Sequence, residues 1–243
     1  MHGALNAACS KLAPHSVADV LLALATHQLC PVTLLEELQT LLPRVAPEMQ
    51  PDEALTSTWA LMALLFTRAG VLPVLLDRAL QGDLGQAEAR QLRQIFLSLR
   101  LEEGAEEAFK AQAPQTWQRL AELAAESGQE DAEAAAEVAA ENLAERLPEG
   151  AATIMLGEYV EDFYFLDLAL QPSGEGARRI AVVLDAASAA DAQAPHSPFT
   201  TLKCRHLRKL GWDVEWMPLR RWEMDEEARA EMVERLFAAS GRR

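Results

Sequence analysis

The chain has 243 residues, half of them hydrophobic, and a formal net charge of −15. The longest apolar run, Trp59 to Phe66, falls far short of the roughly 18 residues that span a bilayer, so no membrane partner is expected. Three scattered cysteines, Cys9, Cys30 and Cys204, form neither a disulfide framework nor a Cys-x-x-Cys zinc pattern and fit a reducing compartment.

Ala and Leu dominate the first hundred residues, which favours helix. Residues Val17 to Leu29 (VADVLLALATHQL) and Ala54 to Phe66 (ALTSTWALMALLF) align with a shift of 37. Leu22 falls on Trp59, Ala23 on Ala60 and Leu24 on Leu61; farther on, Leu34 meets Val71, Leu35 meets Leu72 and Leu38 meets Leu75. Apolar residues recur every three or four positions, so each unit reads as two amphipathic helices. Pro31 and Pro51 stand at helix starts, where a missing N–H costs little. Ala4 to Leu12 resembles the end of an earlier unit, and Gln91 to Leu101 reads as a following helix. Stacked repeats stabilise one another, so residues 1–101 are expected to form a helical repeat region, or solenoid. Met1 to His15 holds one Lys and no Arg, unlike a presequence, and enters partway through a repeat. The chain is therefore expected to be a fragment of a longer repeat protein.

Residues 102–150 are Ala- and Glu-rich. Between Glu102 and Arg146 stand 12 acidic and 3 basic residues. Few large apolar side chains occur there, and the segment is expected to be a solvated helical linker.

The pattern changes in residues 151–243. Phe163 to Leu170 (FYFLDLAL) and Ile180 to Ala187 (IAVVLDAA) are rich in β-branched and aromatic residues around the turn Pro172 to Arg179, and read as paired strands. A loop with Pro195 and Pro198 leads to a helix from about Thr200 to Leu210, stopped by Gly211. Trp212 to Met217 alternates like a third strand, ended by Pro218, and Asp225 to Ala239 is a last helix. The expected order β-β-α-β-α is a small α/β domain.

Charge is uneven. Phe199 to Arg221 holds 6 basic and 2 acidic residues, against the acidic balance of the whole. At 100° per residue, Leu202, Lys203, Cys204, Leu207 and Leu210 share one side of the helix, and Arg205, Arg208 and Lys209 the other. The basic side suits phosphate contacts, with Arg220 and Arg221 as extensions. Trp212, Trp216 and Trp222 are weighed as stacking platforms for bases against places in the core. Lys203, on the apolar side, is expected to reach toward Asp185 or Asp167. His27, His196 and His206 show no ligand spacing.

LDLAL at 166–170, IAVVLDAAS at 180–188 and TLKCRHLRKLGWDVEWMPLRRWE at 201–223 together resemble a RAP domain, the C-terminal module of organellar RNA-metabolism proteins such as the FAST-kinase-like family. The resemblance covers about a third of the chain; the upstream repeats resemble the arrays that precede the domain. It implies a fold like the restriction-endonuclease core, RNA binding in transcript processing, transcript stability or rRNA maturation, and location in a mitochondrion or, alternatively, a chloroplast. The implied partner is single-stranded RNA or rRNA, contacted by Lys203, Arg205, Arg208, Lys209, Arg220, Arg221 and Trp222. A structural subunit of an organellar ribonucleoprotein is the alternative. Nucleases of the wider fold carry an acidic residue on one strand and an acidic-x-Lys on the next. Asp167 matches the first position, but Val183 and Asp185 stand where Glu and Lys are usual, and residues 186–189 lack the usual Gly-Pro-x-His. The chain is therefore expected not to be an enzyme, with no catalytic residue, metal, cofactor or small-molecule substrate.

Overall fold

The computed structural model describes residues 12–66, 70–126, 134–147, 152–160, 163–173, 178–185 and 197–241. Met1–Gly128 and Gln129–Arg243 are two compact units.

The first unit is helical. Its described elements are α1 (Pro14–Thr26), α2 (Val32–Val45), a 3-10 turn at Ala46–Glu48, α3 (Pro51–Ala63), α4 (Leu72–Ala79), α5 (Gln86–Leu101), α6 (Ala105–Gln112) and α7 (Pro114–Glu126). Helix α1 packs on α3, α3 on α5 and α5 on α7, while α2, α4 and α6 each pack on the helix before them. The bounds of α3 are those of α1 moved by 37 residues, and both helices begin with a proline. They also stop alike. Gln28 (φ 51°) and Leu65 (φ 68°) turn left-handed at equivalent positions. Beyond them the Leu29 and Phe66 N–H groups return to the Leu24 and Leu61 carbonyls at 2.9 and 2.8 Å. Such a return satisfies carbonyls that a helix end otherwise leaves bare. Between layers, buried Trp59 Nε1 donates to Gln94 Oε1 at 2.7 Å, removing the cost of an unmatched polar group.

The described parts of residues 102–150 are helices that belong to the two units. In the first, α6 and α7 bury Phe109, Leu120 and Ala124; Trp117 lies 5.2 Å from Phe96 between ring centroids, and Arg93 Nη1 donates to the Ala124 carbonyl at 2.6 Å. In the second, α8 (Ala134–Arg146) lays Ala136, Ala139, Ala140 and Leu143 into the core. Four residues at helical spacing suffice, because alanine lets a helix approach a sheet closely and Leu143 contributes about 2 kcal/mol of burial.

The second unit continues with β1 (Ala152–Val160), β2 (Tyr164–Pro172), β3 (Ile180–Asp185), α9 (Pro198–Lys209), β4 (Asp213–Pro218), α10 (Leu219–Met224) and α11 (Glu226–Gly241). The sheet order is β1-β2-β3-β4; β1, β2 and β3 run antiparallel and β4 joins β3 in parallel, with α9 as the crossover. Three sequence-expected strands and two helices are present. The structure adds β1 and α10, and brings in α8 from the segment expected as a helical linker. Leu168, Leu170, Ile180, Val182, Leu184 and Met217 meet α8, α10 and α11 in one core. Every residue of β3 is buried, and α9 packs on β3 and β4. Loop residues 186–196, turn residues 174–177 and the earlier-unit segment through residue 11 lie outside the described residues.

Candidate functional site

Helix α9 is fixed at both ends by sequence. Ser197 caps its start, its Oγ accepting the Thr200 N–H at 3.1 Å, and Pro198 opens the first turn. At the far end Gly211 adopts φ 89°, and the Gly211 and Trp212 N–H groups return to the Arg208 and Leu207 carbonyls at 3.1 and 3.0 Å. An L side chain at that φ is strained, so the glycine is a physical requirement. Arg208 and Lys209 stand in the last turn, where cations suit the helix dipole.

The inward side of α9 is buried: Leu202, Lys203, Cys204, His206 and Leu207. Lys203, 6% exposed, donates from Nζ to the Phe165 carbonyl at 2.7 Å and lies 5.9 Å from the centre of the Tyr164 ring. Its ammonium is therefore held within the domain and does not face solvent phosphate. His206 Nδ1 and Tyr164 Oη share a hydrogen bond of 2.7 Å. Burial, and then the Arg205 charge, hold the His206 imidazole down to about 3. It stays neutral at physiological pH. Burial pushes the Cys204 thiol up to about 11 against the opposing pull of Arg208 and Lys203, with Asp185 adding to the rise. That cysteine is inert. Asp167 on β2 and Asp185 at the end of β3 are both buried, on adjacent central strands. Among the described residues no group of three or more His, Cys, Asp or Glu is placed to hold a metal ion.

The outward side carries half-buried Arg205 and exposed Arg208 and Lys209. Arg208 makes no ion pair among the described residues.

The other expected contacts are arranged differently. Arg220 is exposed. Arg221 reaches Asp225 and Glu231 at 3.7 Å each, so part of its charge is met within the protein. Trp222, 3% exposed, belongs to the core with α8 and α11 and presents no face to a base. The short helix α10, absent from the sequence reading, turns it inward. Trp212 is also buried, with the Arg179 guanidinium 4.0 Å from its ring centre, and Trp216 is half-buried. The sequence set thus divides: Arg205, Arg208 and Lys209 share an outer helix face, whereas Lys203 and Trp222 serve the interior. No protein-family model and no curated protein matches this chain.

Proposed function

We propose that the chain binds single-stranded RNA through the outer face of α9, as a factor in organellar RNA metabolism. One observation carries the reading: a helix anchored on a sheet by its inner side turns Arg205, Arg208 and Lys209 outward in an otherwise acidic protein. Local cations can bind a polyanion despite an unfavourable total charge, because screening limits repulsion to about 8 Å at physiological salt. Without an exposed tryptophan on this face, phosphate contacts supply affinity and little sequence preference. The resemblance of residues 166–170, 180–188 and 201–223 to a RAP domain supports the same reading, and with it the restriction-endonuclease-like core. The equal bounds and equal stops of α1 and α3 support stacked repeats of 37 residues, which would add an elongated surface upstream. The test is anisotropy of a labelled single-stranded RNA. Replacing Arg205 and Arg208 with Ala is expected to lower affinity about tenfold on every sequence.

A second reading, a metal-dependent nuclease, draws on one arrangement. Asp167 and Asp185 are buried on adjacent strands, and Lys203 and Asp185 both act on the Cys204 thiol. Two carboxylates are a sparse set for magnesium, which keeps several waters in such sites, and Lys203 would then supply from a helix the cation expected on the strand. Magnesium-dependent cleavage of RNA, lost when both aspartates become Asn, would establish it; intact RNA after prolonged incubation with magnesium or manganese would exclude it.

A further inference from the structure

The two ends of α9 stand among different charges. Gly211 and Trp212 turn the chain from α9 into β4, whose first residue, Asp213, pairs with Ile180 at the start of β3. The Asp213 N–H donates to the Arg179 carbonyl at 2.9 Å. Arg178 and Arg179 therefore stand at the same end of the sheet as Arg208 and Lys209, in the last turn of α9. The carboxylates these arginines meet are Asp213, 3.7 Å from Arg178, and Glu158, 3.0 Å from Arg179. Arg220 and Arg221 lie at the other end, beyond Pro218. The six residues of β4 put roughly 20 Å between the two ends. There Arg221 is met by Asp225 and Glu231, and Glu223 is exposed beside it. The surplus of positive charge thus lies where α9 ends and β3 begins.

Arg179 is also held in place. Its guanidinium carbon lies 4.0 Å from the centre of the Trp212 ring, and its Nη1 donates to Glu158 Oε1 at 3.0 Å. Trp212 beneath it is 3% exposed, whereas the Arg179 side chain is 45% exposed. The guanidinium is therefore the outer layer over a buried ring. A planar cation fixed on an aromatic ring loses little freedom when a ligand covers it. Bases splayed from a single strand stack on guanidinium planes as they do on aromatic rings.

We propose that Arg179, layered on Trp212, is the seat on which single-stranded RNA stacks a base, and that the strand crosses the C-terminal end of α9 toward Arg178, away from Arg220. The inference rests on the RNA-binding reading above and adds to it a stacking platform, which the buried tryptophans do not provide. Arg178, Arg208 and Lys209 neutralise the flanking phosphates. Stacking accepts every base, because each has a π-face. Binding therefore depends on the presence of bases and little on their order.

Two probes of equal length and charge test this with the full chain: an oligoribonucleotide of mixed sequence and its abasic ribose-phosphate counterpart. The wild type is expected to bind the first about tenfold more tightly, the value of one stacked base. Arg179→Lys keeps the charge and removes the plane. It is expected to abolish that preference and leave affinity for the abasic strand unchanged. Arg178→Ala is expected to make the salt slope shallower by about 0.7 on both probes, and Arg220→Ala to leave both unchanged. Photo-cross-linking of the wild type to a strand carrying 4-thiouracil gives a second readout should Arg179→Lys misfold. The cross-link is expected within residues 178–180 or 205–212. Equal affinity of the wild type for both probes, a base preference that survives in folded Arg179→Lys, or a cross-link confined to residues 219–231 would each overturn the proposal. In all three the RNA-binding reading stands if Arg205 and Arg208 still carry the salt slope; a wild type that binds neither probe overturns both.

Discussion

The two sides of α9 hold the same kind of residue for different ends. On the inner side Lys203 is spent on the Phe165 carbonyl, and His206 is a neutral partner of Tyr164. On the outer side Arg208 and Lys209 stand in solvent within a few residues of those groups. A count of positive charges along residues 199–221 merges the two. Burial separates them, because desolvation makes an interior cation a fixed part of the fold.

The separation can be broken first from inside. Lys203→Ala leaves the Phe165 carbonyl without its donor, and is expected to cost about 1–3 kcal/mol of stability. Urea denaturation measures this; a loss below about 1 kcal/mol would place Lys203 outside the structural set. If the variant still folds, its RNA affinity is expected to equal that of the wild type.

Acid acts on the same side by a smaller step. His206 takes a proton near 6.5 when unfolded but only near about 3 in the folded chain. The folded state therefore binds fewer protons between those values. The stability this neutral imidazole confers is complete above about 6.5 and is lost as pH falls toward 3, at up to about 1.4 kcal/mol per pH unit. Between about pH 7 and about pH 5.5, where most carboxylates stay ionised, His206→Gln is expected to flatten the decline. Equal slopes for the two proteins would contradict the assignment.

How much of this was legible in sequence depends on the range of the interaction. The 37-residue spacing, the prolines at the helix starts and Gly211 are local, and each marks an observed boundary. Strand β1 was not legible. Its Met155, Leu156 and Glu158 also suit helix, and its place at the sheet edge leaves no clean alternation. Helix α8 was legible as helix but not as core, because alanine reads as solvated when it is in fact the close-packing surface. In the candidate site, the outer face of α9 followed from periodicity alone. The fates of Trp222 and Arg221 did not: Trp222 is covered by α8, far along the chain, as well as by α11, and Arg221 turns back onto Asp225 and Glu231.

The outer face gives the smallest change in free energy and the most direct test. Anisotropy titrations of single-stranded RNA over a range of salt should yield a line of negative slope in log affinity against log salt. In Arg205→Ala plus Arg208→Ala the slope should be shallower by about 1.4, the value for two phosphate contacts on a single strand, with thermal stability retained. An unchanged slope and affinity in a folded double variant would contradict an RNA-binding face on α9.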